Sequence, residues 1–244
     1  MAKLDGKVAV ITGATSGLAL ATAKLFVAEG AHVVITGRRQ DRLDAAVAAI
    51  GHDVSAVAGD VGELADLARL ADVVAAGPGR VDVLVASAGA WTWGERFTDV
   101  TEESFDAVFG TNVRGTFFTV QKLLPLLSDG ASVVLIGSGA AEKGDAGTTV
   151  YAASKAALRS FARTWTTELK DRGIRVNVLS PAAIETPAFA DLPPGFKERI
   201  AARVPVGRLG HEHEIATAAL FLASADSSFV TGIDLPVDGG IGQV

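Results

Sequence analysis

The stretch "VAVITGATSGLALATAKLF", residues 8–26, passes from an apolar run into two glycines and then into a helical spacing of alanines and leucines. A strand that ends at Gly13 and turns through Gly17 into a helix brings backbone N–H groups and the positive helix end to one point, a setting suited to a pyrophosphate. Two glycines in a turn also serve a plain strand-to-helix connection. The strand before them and the helix after them favour the nucleotide. Thr15 and Ser16 add hydroxyl donors to the cradle, and Leu18 opens the helix beside it. The usual dinucleotide fingerprint has a third glycine for close helix packing. Ala19 stands at that place here.

Outward from this unit the alternation continues. Short β-branched runs at 7–12, 32–36, 54–58, 81–86, 132–137, 175–179 and 233–237 predict strands, mostly apolar as expected when both faces are covered. Between them, apolar residues at helical spacing predict helices at 18–29, 41–50, 63–76, 102–127, 150–172 and 212–223, with Pro125 tolerated near the end of the fourth. The rhythm predicts an α/β fold: a single Rossmann-type, doubly wound, parallel seven-stranded sheet with helices on both faces. No repeat, low-complexity tract or polar linker divides the chain, so residues 1–244 read as one dinucleotide-binding and catalytic domain. Residues 187–205, with Pro193-Pro194-Gly195 inside them, are the least regular and are the expected substrate lid.

Composition narrows the classes. The 244 residues are 49% hydrophobic, ample for a large core, and contain no cysteine, which leaves no disulfide framework and fits a reducing, cytoplasmic setting. A net charge of -6 argues against a nucleic-acid partner. No leader-like segment and no membrane-length apolar run is apparent, so a soluble protein without a membrane partner is expected. No ligand cluster obliges a metal.

After the second predicted strand the chain reads "VVITGRRQDR", residues 33–42. A carboxylate there suits the free 2′-hydroxyl of NAD and repels a 2′-phosphate, whereas guanidinium groups bond the phosphate. Gly37, Arg38 and Arg39 therefore favour NADP(H), against the plainer reading of two solvated charges at a helix start. Asp60, in "AGDVG" with Val61, is placed either to reach adenine or to cap the next helix.

The only tyrosine lies in "TVYAASKAALRS", residues 149–160. On a helix Tyr151 and Lys155 share a face. A phenol titrates near pH 10, and lowering that by about 2 to 3 units needs roughly 3 to 4 kcal/mol, within reach of two nearby cations in a partly dry cleft. For the spacing taken alone, a tyrosine packed near a helix start beside a solvated lysine is much the better explanation. Ser138, at the end of "SVVLIGS", adds a hydroxyl at the carboxyl edge of the sheet, where such folds bind ligands. Asn112, in "GTNVRGTFF", is a polar residue in an apolar helix and by itself reads as a satisfied core amide.

Together these residues resemble the short-chain dehydrogenase/reductase superfamily over essentially the whole chain. The motifs are T-G-x-x-x-G at Thr12, Gly13 and Gly17, Asp60, Ala88-Gly89, Asn112, Ser138, Tyr151-x-x-x-Lys155, Pro181 with Thr186, and the ending "VDGG". The resemblance is nearest to bacterial NADPH-dependent alcohol dehydrogenases and carbonyl reductases. It implies Tyr151 as acid/base, Ser138 as anchor of the substrate oxygen, Lys155 as ribose binder and modulator of the phenol, and Asn112 as part of a water-linked proton relay. It further implies contact of Ile184 and Thr186 with the nicotinamide amide, and a homotetramer built on the fourth and fifth long helices and the C-terminal region. The chain departs from the family pattern at Ala86-Ser87, where two asparagines are common, and at Ala182, where glycine is usual.

The implied reaction is reversible hydride transfer between NADP(H) and a small ketone or secondary alcohol. Trp91, Trp93, Ala140, Ala141, Phe189, Leu192 and Phe196 suggest an apolar substrate pocket, or else the packing of a lid or subunit interface. Glu142, Asp145 and Glu185 are candidates for a polar substrate or plain rim charges. Alternatives are 3-oxoacyl-(acyl carrier protein) reduction, for which Arg159, Arg163 and Arg172 are the available basic patch, sugar oxidation, and a non-catalytic NADP(H)-binding protein.

Overall fold

The computed structural model describes residues 2–92, 94–186 and 195–244. Trp93, Phe189 and Leu192, and residues 187–194 of the expected lid, lie outside them.

The chain alternates as the sequence predicts: β1 (Val8–Ile11), α1 (Gly17–Ala28), β2 (His32–Gly37), α2 (Gln40–Ile50), β3 (Val54–Ala58), α3 (Leu64–Ala76) and β4 (Val81–Ala86). It continues through α4 (Glu102–Phe109), α5 (Thr116–Leu123), β5 (Leu127–Ile136), α6 (Thr149–Glu168), β6 (Arg175–Pro181), β7 (Ile184–Glu185), α7 (Phe196–Ala201), β8 (Gly210–His211), α8 (Glu212–Ala223) and β9 (Asp234–Val237). Seven strands form one sheet in the order β3-β2-β1-β4-β5-β6-β9, every pairing parallel.

Strand residues alternate between two buried layers because successive side chains point to opposite faces. Ala9 and Ile11 of β1 join Phe26 of α1, Leu43 of α2 and Ile215 and Leu222 of α8 on one side. Val10, between them, joins Leu70 of α3, Leu123 of α5 and Leu158 and Trp165 of α6 on the other. This is why the strands read as mostly apolar runs rather than as an alternation.

The predicted helix 102–127 is corrected. Thr101 starts α4 reciprocally, its Oγ1 accepting from Ser104 N at 3.2 Å while Ser104 Oγ accepts from Thr101 N at 3.2 Å. A π-helical stretch, Gly110–Gly115, then separates α4 from α5. A Cβ on Gly115 would lie 2.8 Å from Val61 Cγ2, so the backbone passes Val61 closely at the end of that wider turn. Pro125 falls in a 3-10 turn, Leu124–Leu126, and Leu127 already belongs to β5. A proline without an N–H ends the helix rather than riding in its last turn. The predicted 150–172 helix likewise closes as a 3-10 turn, Lys170–Arg172, before Gly173 at φ 62.

The two-residue strands β7 and β8 pair in a separate small parallel sheet, and α7 is six residues long. Elements this short carry no readable period. No helix among the described residues is long and apolar enough to cross a membrane.

Candidate active site

The sheet order reverses between β1 and β4, and the crevice outside the carboxyl ends of those strands is where open α/β sheets hold ligands. A cleft of about 260 Å³ opens there, lined among others by Gly13, Ser16, Leu18, Gly89, Ser138, Tyr151, Lys155 and Pro181. Residues 142 positions apart in the chain thus meet because β1, β4, β5 and β6 all end on one edge.

The cradle is built by close backbone approach. Gly13 has φ +70, and a Cβ on it would lie 2.8 Å from Ala88 Cα. Thr12 Oγ1 holds that neighbour in place, accepting from Ser87 N at 3.0 Å and Ala88 N at 3.1 Å. Gly17, at φ +60, is the first residue of α1. Ser16 sits at the helix cap, but its side chain makes no cap hydrogen bond. Unsatisfied first-turn N–H groups beside a glycine-walled crevice fit the pyrophosphate of a dinucleotide. Ala19 is buried on the core side of α1 and is accommodated there.

The turn after β2 abuts the cradle. A Cβ on Gly37 would lie 2.5 Å from Thr15 Cγ2, and Ala14 N donates to Thr36 O at 3.1 Å. Arg38 is 77% exposed, with Nη1 3.9 Å from Asp60 Oδ2, and Arg39 is exposed with Nη2 3.1 Å from Asp41 Oδ2. Asp60 does not cap α3, whose cap position is Glu63. Its Oδ1 instead accepts from Gly62 N at 2.9 Å, folding the turn that carries Val61.

Ser138 follows β5 and begins a 3-10 turn, Gly139–Glu142, its Oγ accepting from Ala140 N at 3.2 Å. The Tyr151 phenol, in the first turn of α6, shares the cleft with the Ser138 hydroxyl and interacts with it electrostatically. Burial pushes the phenol above its ordinary value, and the nearby Ser138 hydroxyl opposes that only in part. The depressed phenol expected from Lys155 is therefore absent in the protein alone. Lys155 Nζ lies 5.8 Å from the centre of the Tyr151 ring and donates to Ile136 O at 2.8 Å. Burial also lowers the lysine to about 8, which weakens the cation meant to favour phenolate.

Asn112, in the π-helical stretch, is fully buried and satisfied: Oδ1 accepts from Ala90 N at 2.7 Å, and Nδ2 donates to Ala90 O at 2.8 Å and Ser154 Oγ at 2.9 Å. Its amide ties the segment leaving β4 to α6. Ala182, where glycine is usual, is accommodated by its neighbour: a Cβ on Gly139 would lie 2.8 Å from the Ala182 methyl.

Of the remaining candidates, Trp91 lines the cleft and is half exposed. Ile184 is buried and borders a separate hollow with Ala182, and Thr186 follows it at partial burial. Ser87, Ala90, Ile136 and Gly137 also line the cleft. Their positions immediately beyond β4 and at the end of β5 were the available signal. The Ile136 carbonyl, as a backbone acceptor, left none.

A family profile described as enoyl-(acyl carrier protein) reductase matches residues 13–242. An oxidoreductase of Sarocladium schorii is 47% identical over 99% of this chain and 98% of its own. The 3-oxoacyl-[acyl-carrier-protein] reductase of Thermotoga maritima is 38% identical over 98% of this chain and 99% of its own. The crystal structure of a short-chain dehydrogenase/reductase, a glucose/ribitol dehydrogenase from Brucella melitensis, superposes with a TM-score of 0.94 at 32% identity, covering 98% of both chains.

Proposed function

The chain belongs to the short-chain dehydrogenase/reductase superfamily, oxidoreductases that use a nicotinamide cofactor, and from that premise we propose that it catalyses reversible hydride transfer between NADP(H) and a small ketone or secondary alcohol, with Tyr151 as acid/base. The observation that carries the reading is the meeting of Ser138, Tyr151 and Lys155 on one cleft that Gly13 also lines. Purified protein should oxidise NADPH when given an activated ketone. Absence of turnover across a ketone and alcohol panel would count against it.

Bound nicotinamide supplies or accepts the hydride. The Ser138 and Tyr151 hydroxyls hold the substrate oxygen between two donors, and in reduction Tyr151 gives its proton to the developing alkoxide. Lys155, fixed on Ile136 O, presents its remaining N–H groups to the ribose side of the cleft. Asn112 supports the same edge through Ala90 and Ser154 and is proposed to line the proton path out.

The raised phenol sets a pH dependence. Reduction needs the protonated form, which dominates at neutral pH, whereas oxidation needs the phenolate. The kcat/KM for alcohol oxidation should climb by about tenfold per pH unit across the neutral to mildly alkaline range, while that for reduction stays level. An oxidation profile without that rise would remove Tyr151 as the base.

Arg38 and Arg39 flank the turn against which the cradle packs, which supports NADP(H) over NAD(H). Replacing both by alanine should raise KM for NADPH by about 10- to 100-fold, the worth of charge-assisted hydrogen bonds, and leave KM for NADH nearly unchanged. Equal losses with both cofactors would show a general rather than a 2′-phosphate role.

Reduction of a carrier-bound 3-oxoacyl group draws on the Thermotoga relative. Against it, Arg159 lies 3.3 Å from Asp234 and Arg172 2.9 Å from Asp129, so two of the three arginines available to an acidic carrier are already engaged. A free ketone is favoured for that reason. Exposed Phe105 and the half-buried rings of Phe117 and Phe161 support the homotetramer.

A further inference from the structure

We propose that Glu212 weakens the hold of this protein on its dinucleotide, by placing a carboxylate against the phosphate cradle; the inference rests on the nicotinamide reading above. Glu212 is the first residue of α8, 195 positions from the cradle in sequence. Its Oε1 lies 3.7 Å from where a Cβ on Gly17 would sit, so the side chain reaches the first turn of α1 across the packed α1–α8 pair. The carboxylate is free to act there. Among the described residues it makes no hydrogen bond or ion pair, whereas its neighbour Glu214 accepts from Arg208 Nη1 and Nη2 and from His211 N, each at 2.8 Å.

Two opposing consequences follow from one placement. In the empty cleft the negative charge sits at the positive ends of two helices and is favourable. When a pyrophosphate arrives at the first-turn N–H groups of α1, the carboxylate beside Gly17 repels it, and the repulsion lowers affinity. Because Glu212 is partly exposed, solvent and salt moderate the effect. The carboxylate thereby acts as a setting on cofactor exchange: weaker binding and faster release than the cradle alone would give.

The test measures binding by the fluorescence of NADPH and of NADH, with Glu212→Gln and Glu212→Ala, so that one variant remains if the other fails to fold. Both variants should bind both dinucleotides about 3- to 10-fold more tightly at low salt, with slower dissociation in stopped flow, and the gain should shrink in 0.5 M salt (roughly a 4 Å screening length). Adenosine 2′-monophosphate, which lacks the pyrophosphate, should bind parent and variants alike. Parent-level or weaker NADPH and NADH affinity in the variants overturns this inference alone. A gain that includes adenosine 2′-monophosphate overturns it in favour of a general charge effect. A parent chain that binds neither dinucleotide overturns the proposed function as well.

Discussion

Tyr151→Phe is expected to lower kcat for ketone reduction by at least about 1,000-fold while leaving the NADPH dissociation constant within about twofold of the parent. The change removes one hydroxyl from a ring that keeps its place in the first turn of α6. Only the interaction of that hydroxyl with Ser138 is lost, so folding should cost about 1 kcal/mol at most. The chemical loss is larger because no other group described at the cleft can deliver that proton. The other hydroxyls that line the cleft, on Ser16, Ser87 and Ser138, are weaker acids than a phenol, and Lys155 is turned to the Ile136 carbonyl. Steady-state rates together with NADPH titration separate the two effects. Substantial turnover in the phenylalanine variant would assign the proton to another donor, and loss of NADPH binding would recast Tyr151 as a cofactor ligand.

Gly13→Val is expected to abolish dinucleotide binding, by more than about 100-fold, and to destabilise the fold by about 2 to 4 kcal/mol. Two causes add. The backbone at φ +70 disfavours any β-branched side chain, and the new Cβ would meet Ala88 Cα at 2.8 Å and Ala88 N at 3.1 Å. Those are backbone atoms, held by the bond from Ala88 N to Thr12 Oγ1, and they cannot swing away as a side chain would. Gly6→Val is the internal comparison: Gly6 has φ +67 and nothing within 4 Å of the added Cβ, so it carries the strain without the clash. Thermal unfolding of the pair isolates the contact. Near-parent binding in Gly13→Val would show that the cradle tolerates a wall at that position.

Much of the architecture was legible because its cause is local. Strands buried on both faces are mostly apolar, and helices repeat at their own period, so the seven strands of the main sheet and most helices could be read along the chain. The 102–127 segment misled because apolar residues at near-helical spacing run through it without interruption. The departures are the π-helical stretch where Gly115 passes Val61, a residue 54 positions away, and the stop at Pro125. Asp60 could be read as a ligand or a cap, and only the fold shows its carboxylate turned back on Gly62.

At the cleft the division is sharper. Side chains with distinctive chemistry, Ser138, Tyr151 and Lys155, could be singled out by type and spacing, and they line one crevice. Their electrostatics could not. From spacing, Lys155 should depress the phenol. In the folded protein, burial raises the phenol and lowers the lysine to about 8.

The amino-acid sequence alone thus determined the α/β class, the parallel sheet and the identity of the residues that face its carboxyl edge, because period, turn chemistry and residue type are properties of neighbours along the chain. Tertiary structure decided what those residues experience: the depth of Tyr151, the carbonyl that holds Lys155, the backbone pressed against Gly13 and the carboxylate of Glu212 beside Gly17. Burial and electrostatic proximity depend on distance through space, and in this chain the groups that matter most to one another are separated by up to 195 positions of sequence.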